Sequence, residues 1–576
     1  MGLLSSPSGS AGQWPSGFVR IFWASLFIAI LPEVAAQAGN EGGSTGGCPP
    51  GLEKKENGCR PPGQAKSRVL RVGTFHGIPG DFATIQSAVD AAKSGDWILV
   101  APGDYHEQGD RQYSWPGFAS GGVYITTPNV HLRGMDRNGV VVDGTKPGAP
   151  QCSSNPSDQD LGPLDWSGNP LGRNGILVFK ADHVSVENLT ACNFLDGSGG
   201  GGNQIWWNGG YESGQIGLGP YLGQYLSATS TYFESDLQPK AEYGIFASNS
   251  RGPGLIVHTY ASNMADSSYY IGACPDCNAV LADGHAQNSA QGYSGTNSGG
   301  HLVIAYSEWD LNLNGISTNS QNSEGPSPQS GKCPDAEKGL TGNGLCTYFI
   351  GNYIHDNNNP NAPGAGLAGM GPVGTGVLAS GGQYDTVAWN RVEHNGSWGI
   401  LLVPYVDFTN LPPPIGTNCA GGVVPKVTDP FPLGGLALVG VTCYFDDFGN
   451  EVRDNFLSDN GFFGNDTNGD LGEISGLNNP GNCWHGNVDP KGVSSSPADL
   501  QTTHGTCGVP NQGAGLFDPL GQQLSCASQA FGPCVGLPGN PGYPQRTQVV
   551  MLPLPAQPSM ADPCEGVPKN PWCERK

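Results

Sequence analysis

The sequence predicts an all-β solenoid in which short parallel strands coil into a β-helix. Seven six-residue segments share one frame, which begins with a small polar residue or histidine and ends with asparagine. They are 188–193, 258–263, 283–288, 307–312, 352–357, 390–395 and 455–460. The third residue of the frame is mostly bulky and apolar, and polar and apolar residues alternate around it. This period of two is typical of a strand with one buried face.

The spacing of the segments indicates the size of one coil. The closing asparagines at 263, 288 and 312 are separated by 25 and 24 residues, and a second short strand pattern usually follows each segment. Two strands and a turn within roughly 22–26 residues describe one coil of a solenoid. A leucine-rich repeat has a similar period, but its LxxLxL pattern and its helices are missing. Wider gaps, such as 312 to 357, predict loop insertions on one side of the coils.

Asparagine at the end of each segment has a physical explanation. It tolerates the left-handed backbone conformation of a sharp turn better than other non-glycine residues. Coils stack about 4.8 Å apart, so one side-chain amide can donate to one neighbour and accept from the next. We therefore expect a ladder at one corner of the solenoid. Its predicted members are Asn263, Asn288, Asn312, Asn357, Asn395 and Asn460.

The stretch FATIQSAVDAAKSGDWILVAPGDYHE, residues 82–107, supports the same architecture. It combines a short amphipathic helix, with Ile85 and Val89 on its apolar side, and a buried strand, WILVAPG. With the repeats, from about Phe82 to about Asn460, the chain resembles the right-handed parallel β-helix proteins of the pectin-lyase-like superfamily. The resemblance implies that the helix caps the first coil, whose open edge would otherwise invite strand addition. It does not specify an activity, because such folds carry many chemistries.

The ends of the chain differ in composition from the repeats. Arg20 precedes the apolar run IFWASLFIAIL, and AQA at 36–38 has the form of a cleavage site, so 1–38 is predicted to be a signal peptide, with an uncleaved anchor as the alternative. The predicted regions that follow are a Cys/Gly/Pro-rich linker at 39–70, the β-helix at 71–465, a Gly/Asn/Cys-rich extension at 466–540 and a Pro-rich tail at 541–576.

Cysteine content and charge restrict the compartment and the partners. Sixteen cysteines in an exported chain predict disulfides. The CPDC motif at 274–277 is interpreted as a disulfide or a thiol pair, because no second CxxC or histidine pair completes a zinc site. The net charge of −23 disfavours nucleic acid and anionic membranes as partners. We expect a secreted monomer whose partner is a polysaccharide or a cell-surface glycan, with no membrane contact beyond the signal segment.

Ionisable residues concentrate in the middle repeats. The resemblance implies that substrate lies along an outward sheet face, with functional groups projecting from adjacent coils. If the third position of the frame points inward, the second and fourth positions point outward. Three successive units carry ionisable residues there, whereas the other units carry small or apolar residues. The pairs are Glu308 and Asp310, Tyr353 and His355, and Arg391 and Glu393.

These residues fit two kinds of carbohydrate chemistry. In a polysaccharide lyase or epimerase, His355 or Tyr353 would abstract a proton and Arg391 would pair with a sugar carboxylate. In a glycoside hydrolase, Asp310 and Glu393 would be the two catalytic carboxylates. The alternative is a solvated face of a non-catalytic surface protein, in which each charge pair stabilises the stack by about 0.2–1 kcal/mol.

Three further predictions concern binding. Glu308 and Trp309 are predicted to contact substrate, and His285, at an inward third position, is predicted to be a core or turn residue. The segment DTNGDLGE has oxygen ligands at alternating positions, and Asp466, Asn468 and Asp470 are predicted to bind calcium. The alternative for this segment is an Asn/Asp-Gly turn, because the glycine and glutamate of an EF-hand are misplaced. Calcium is the only cofactor that the sequence suggests.

Overall fold

The computed structural model describes residues 53–55, 58–60, 67–108, 118–210, 216–274, 276–321, 347–407, 443–475, 481–507, 514, 518–528 and 542–574. The predicted signal peptide lies outside these ranges. The chain divides into two compact units, Met1–Lys66 and Ser67–Lys576. In the first unit, strands Glu53–Lys55 and Gly58–Arg60 pair antiparallel. No helix among the described residues has the length and apolar character needed to cross a membrane.

The second unit is a parallel β-helix with three faces, which we name A, B and C in the order in which each coil visits them. Face A contains Val69–Val72, Trp97–Val100, His131–Gly134, Leu302–Ala305, Thr347–Ile350, Thr386–Ala388, Glu451–Arg453 and Cys483–His485. Face B contains Gly103–Tyr105, Val140–Asp143, Glu308–Asp310, Tyr353–His355, Arg391–Glu393 and Phe456–Ser458. Four longer strands bend and belong to both faces: Val184–Cys192, Tyr221–Thr229, Gly254–Ser262 and Ala279–Gln287.

Face C is a separate sheet of eleven parallel strands. They are Ser120–Ile125, Arg173–Phe179, Asn203–Asn208, Tyr243–Ser248, Ser267–Gly272, Gln291–Thr296, Asn314–Asn319, Thr375–Ser380, Trp398–Val403, Gly469–Glu473 and Ser495–Ser496. Three short antiparallel pairs lie outside the faces: Thr74–Phe75 with Ile78–Pro79, Asp196–Gly197 with Gly200–Gly201, and Tyr405–Asp407 with Cys443–Phe445. The predicted all-β parallel β-helix is therefore confirmed. Its sheets extend to Ser496, beyond the boundary predicted at 465.

Alternate side chains along every face point into one continuous core. Matching inward residues stack from coil to coil, as in the series Ala286, Trp309, Ile354, Val392 and Leu457 on face B. All five side chains are fully buried. Burying a large aliphatic side chain contributes about 1.5–3 kcal/mol, so this column is a main source of stability.

Helix α1, Ile85–Ala91, covers the N-terminal end of the core as predicted. The Thr84 side chain caps it by accepting a hydrogen bond from the Ser87 amide. The carboxylate of Glu107 accepts hydrogen bonds from the amides of Ile85 and Gln86, which the first helical turn leaves unpaired. Ile85 and other apolar residues of the helix join the main core. The other helices of the described ranges are α2, Leu500–Thr503, and α3, Asp518–Ala527, with 3₁₀ turns at Pro156–Asp158 and Ala368–Met370.

Buried asparagines form ladders at the corners of the coils. At the corner between faces A and B, each side-chain amide donates to the side-chain oxygen of the next asparagine. The hydrogen bonds run from Asn352 to Asn390 (3.0 Å), to Asn455 (2.9 Å) and to Asn487 (2.8 Å). At the corner between faces B and C, a second ladder joins Asn312, Asn357, Asn395 and Asn460 at 3.0, 3.2 and 3.1 Å. A shorter ladder joins Asn450 and Asn482 before face A.

The predicted ladder is confirmed from Asn312 onward but is interrupted before it. Asn288 donates to Asn263, whereas the side-chain oxygen of Asn312 accepts from the amide of Ser289. The alignment of Asn288 with Asn312 is therefore wrong by one residue, because Ala286 and not His285 pairs with Trp309. The backbone angles show the same one-residue shift. Asn263 and Asn288 are themselves left-handed, with φ of 65° and 53°. Further along the chain the left-handed residue is the one before the asparagine, such as Leu311 with φ of 55°.

The Pro-rich tail runs back along the solenoid to the first coil. Asn263 exchanges two hydrogen bonds with the backbone of Leu552, at 2.8 and 3.0 Å, and Asn138 does the same with Gln557, at 2.8 Å each. At its end, Trp572 packs in a buried cluster with Leu99, Ala101 and Met135. Prolines make the tail extended but unable to pair as a strand, and the asparagine side chains supply its hydrogen-bond partners instead.

Disulfides are present, as predicted for the cysteine-rich chain. The described bonds are Cys152–Cys192, Cys274–Cys277, Cys483–Cys507 and Cys564–Cys573. The CPDC motif therefore forms a disulfide, and the last bond closes the end of the tail beside Trp572.

We predict that Asn390→Ala destabilises the β-helix by more than about 2 kcal/mol, because it leaves the backbone amide of Asn352 and the carbonyl of Phe349 buried without a partner. Urea unfolding measures this change. The control is Asn169→Ala, at an exposed asparagine in a loop, which should change stability by less than about 0.5 kcal/mol. Equal effects of the two substitutions would contradict the ladder.

We also predict that Trp572→Ala releases the tail and costs about 3–5 kcal/mol of local stability in the N-terminal coils. Native-state hydrogen exchange of the strand Trp97–Val100, with limited proteolysis of the tail, measures both effects. Trp166, 98% exposed, supplies the matched control Trp166→Ala. Unchanged protection of the first coils in Trp572→Ala would show that the tail does not stabilise them.

Candidate functional site

The middle-coil residues lie in the two outward columns that the sequence predicted. Glu308 pairs with Tyr353, which pairs with Arg391. Asp310 pairs with His355, which pairs with Glu393, in the same strands. Since these strands are direct neighbours, the long gap between Asn312 and Asn357 contains no additional coil of face B.

His355 is held between two carboxylates. Its Nδ1 lies 2.8 Å from Asp356 and its Nε2 lies 3.3 Å from Glu308. Burial lowers the pKa of His355, but the hydrogen bonds to Glu308 and Asp356 outweigh this effect and raise the pKa above its ordinary value. The shift extends the pH range over which His355 carries its second proton.

Tyr353 is also held in its protonated form. Burial is the main cause that raises the pKa of its hydroxyl; the positive charge of Arg391 opposes the shift, and nearby Glu393 reinforces it. The Tyr353 ring stacks on His355 with centroids 3.9 Å apart, and the Arg391 guanidinium lies 4.8 Å from the ring centre on its face. Arg391 also contacts Glu393 at 2.6 Å. Both pKa shifts favour the protonated form, and the roles of the two residues as bases stay predictions.

The carboxylates of the cluster are further candidate bases. Burial raises the pKa of Asp356, but hydrogen bonds from His355 and His394 outweigh it and lower the pKa below its ordinary value. Asp356 is therefore ionised over most of the pH range. This residue immediately follows the predicted column and has a left-handed φ of 52°, which turns its side chain toward both imidazoles.

An open cleft of about 420 Å³ lies over this cluster. It is lined by Tyr353, His355, Asp356, Arg391, Glu393, His394, Ser458 and Asp459. Exposed aromatic rings accompany the same coils: Tyr306, Trp389, Phe456 and Phe462 are 41–52% exposed. Phe462 stacks on His394 with centroids 4.5 Å apart, and Phe456 pairs with Arg391 across the strands. The cleft thus combines imidazoles, carboxylates and a guanidinium, and exposed rings lie on the same coils outside its lining.

The one-residue shift changes the position of His285. It lies in the outward column beside Glu308, and its Nε2 lies 2.8 Å from Asp310. The prediction of a core residue was wrong because the closing asparagine was used for alignment. Ala286 is the inward residue of this strand, and aligning it with Trp309 gives the observed register. His285 and Gln287, which donates to Asp310, extend the polar row by one coil.

One other predicted binding role does not fit the structure. Trp309 is fully buried in the core and donates its Nε1–H to Asn352, so it cannot contact a substrate. The proposed calcium ligands have separate partners: Asp470 accepts hydrogen bonds from Ser494, Asn468 bonds to Tyr543, and Asp466 is exposed. Residues 466–467 form a turn and Gly469–Glu473 is a strand of face C, and calcium binding at this segment stays a prediction.

Face C carries a second surface, a groove of about 390 Å³, that sequence reasoning missed. Outward hydroxyl and amide groups form part of its lining: Ser294, Thr296, Ser317, Asn319 and Gln321. At one end, the Tyr243 hydroxyl donates to Asp266 at 2.9 Å, and burial raises the pKa of Asp266 to about 6. Its strands lie outside the repeated frame, which is why the pattern did not point to them.

Comparison with known proteins adds similarity of fold only. No protein-family model matches the sequence, and no curated protein is similar to it. Among solved structures, the chain is similar to the A-module of the mannuronan C-5 epimerase AlgE6 of Azotobacter vinelandii, at 14% identity and TM-score 0.39, over 70% of this chain and 93% of that one.

Two further structures are similar at the same level. Pectate lyase Pel9A has 11% identity and a TM-score of 0.37, over 75% of this chain and 83% of that one. An alginate lyase from Paenibacillus sp. str. FPU-7 has 13% identity and a TM-score of 0.32, over 56% of this chain and 94% of that one. TM-scores this low carry no argument about activity. The parallel pairing of its own strands identifies this chain as a parallel β-helix protein.

We predict that Glu308→Gln lowers the pKa of His355, because it removes one of the two carboxylates that stabilise the imidazolium. NMR titration of the ring protons measures the shift. A raised folded-state pKa contributes stability that is complete below the unfolded value of about 6.5 and is lost as the pH rises through the folded value. The variant should therefore lose stability mainly at acidic pH.

The control for this titration is Glu234→Gln, at an exposed glutamate that bonds to Tyr232. It should leave the His355 titration unchanged. A His355 pKa that is the same in wild type and Glu308→Gln would contradict the described contact.

Proposed function

We propose that this chain is an exported protein that binds a polysaccharide in the cleft of face B and acts on it by acid–base chemistry. The observation that carries the proposal is His355, whose ring contacts Asp356 and Glu308 in an open cleft and whose pKa is raised, while that of Asp356 is lowered. Enzymes use two neighbouring titratable groups as acid and base when their surroundings shift the two pKa values in opposite directions.

The surroundings of the cleft suit a sugar chain. Aromatic faces such as those of Trp389 and Phe462 pack against the C–H faces of sugar rings, and carboxylates and Arg391 bond to hydroxyl groups. Strands of face B repeat along the axis, so the cleft can follow an extended chain. The disulfides support export, because such bonds persist in oxidising compartments.

The charges favour protonation of a leaving oxygen by His355, with Tyr353 as a second donor. A base is then supplied by a carboxylate: Asp356, Glu393 or Asp310. Asp310 and Glu393 are two strands apart, which places their backbones about 10 Å from each other.

A second location for the same function is the groove on face C. The specific observation in its favour is Asp266, whose pKa of about 6 suits a general acid near neutral pH. The groove has a hydroxyl- and amide-rich lining, whereas the cleft supplies both an acid and ionised bases. We therefore place the reaction in the cleft and make the groove an outcome of the test.

Purified protein should be incubated with a panel of acidic and neutral polysaccharides, with unsaturated-product absorbance and reducing ends as readouts. Affinity electrophoresis in the same polysaccharides measures binding. We expect His355→Gln to lower turnover about 10²–10⁴-fold while binding persists. The double variant His355→Ala with Arg391→Ala should lose binding as well, with an unchanged circular-dichroism spectrum.

The matched control is His301→Gln, since His301 is an exposed histidine that contacts Asp276 at 3.0 Å and lies outside the cleft lining. It should behave as wild type. Loss of turnover in Asp266→Asn but not in His355→Gln would move the site to the groove of face C. Binding without turnover in the wild type would leave a sugar-binding protein, and neither binding nor turnover would favour a non-catalytic surface protein.

A further inference from the structure

A cluster of potential metal ligands lies on the first two coils, apart from the cleft. Asp104 and His106 are two residues apart in the chain and project to the same side, and Asp143 ends the neighbouring strand Val140–Asp143. One carboxylate oxygen from each aspartate and one histidine nitrogen all lie within 4.8 Å of one another. Neither the repeats nor any motif of the sequence pointed to this cluster.

The orientation of His106 identifies which nitrogen faces the cluster. Its Nδ1 lies 3.0 Å from the carbonyl oxygen of Thr145, which can only accept, so Nδ1 carries a hydrogen. Its Nε2 faces Asp104 Oδ2 at 3.2 Å. Two acceptors at this distance need a proton or a cation between them. Ligands of a tetrahedral zinc ion with bonds of about 2.0–2.1 Å are about 3.3–3.4 Å apart, close to this separation.

Asp143 is fixed in place by contacts outside the cluster. It is fully buried, and its two oxygens accept hydrogen bonds from the amides of Thr145 and Cys152, at 2.8 and 2.5 Å. The disulfide Cys152–Cys192 anchors that loop to the neighbouring strand. Metal-ligating histidines usually donate their second N–H to a carbonyl, and further hydrogen bonds orient the ligating carboxylates. Here the Thr145 carbonyl accepts from His106, and the amides of Thr145 and Cys152 orient Asp143.

Two other clusters among the described residues lack available ligands. One combines Asp143 with Cys152 and Cys192, and the other combines Glu451 and His485 with Cys483 and Cys507. In both clusters the two cysteines are bonded to each other, so their sulfurs cannot act as thiolates.

We propose that Asp104, His106 and Asp143 bind one Zn²⁺ ion, which joins the first and second coils of face B. The imidazole favours zinc over calcium, which takes oxygen ligands. Asp104 is the exposed member, so the fourth position faces solvent and is filled by water. This inference is independent of the proposed carbohydrate chemistry, because none of its residues lines the cleft.

The test uses the full chain after treatment with a chelator. Titration with Zn²⁺ in a calorimeter should give one site per chain, Zn²⁺ should raise the Tm, and Co²⁺ should give the visible absorption of a tetrahedral site. His106→Gln and Asp104→Asn should each weaken Zn²⁺ binding at least about tenfold. Asp104 is exposed, so this second variant is expected to fold normally.

The control His301→Gln removes an imidazole–aspartate pair outside the cluster, that with Asp276, and should bind Zn²⁺ as wild type does. A stoichiometry of zero, or equal affinity in wild type and His106→Gln, would show that an ion pair of imidazolium and carboxylate fills this space and would overturn the proposal. Tighter binding of Ca²⁺ than of Zn²⁺ would overturn it as well.

Discussion

The structure depends on the need to satisfy buried backbone groups where each coil turns a corner. A turn breaks the strand ladder, and an unpaired amide or carbonyl inside the stack costs about 1–3 kcal/mol. Asn390 meets this need with one side chain. Its amide donates to Asn455 and to the carbonyl of Phe349, and its oxygen accepts from the backbone and side chain of Asn352. Repeating this unit fixes the position of each coil on the next.

The fixed stacking of the coils explains where the cleft lies. With ladders at both ends of the face B strands, Glu308, Tyr353 and Arg391 are held in one column and Asp310, His355 and Glu393 in the other. Backbone spacing therefore determines the contacts of His355, while the left-handed turn at Asp356 adds the second carboxylate. The tail and the capping helix act at the other end, where they cover the first coils.

The sequence predicted the architecture and the two ionisable columns because both follow from local periodicity. It misplaced His285 because asparagine can occupy either of two adjacent corner positions, and only strand pairing distinguishes them. The pKa values of His355 and Tyr353 could not be predicted from the sequence, because they depend on burial and on neighbours from other coils. The path of the tail, the groove on face C and the cluster around His106 depend on contacts between residues far apart in the chain, which no local pattern encodes.

Hydrogen exchange of side-chain amides, followed by NMR, tests the role of the ladders most directly. We expect the side-chain amide protons of Asn352, Asn390 and Asn455 to be protected as strongly as the backbone amides of the core strands, since both exchange only when the coils separate. The exposed side chain of Asn169 provides the fast reference. Exchange of the ladder amides at the rate of Asn169 would contradict the claim that they hold the coils together.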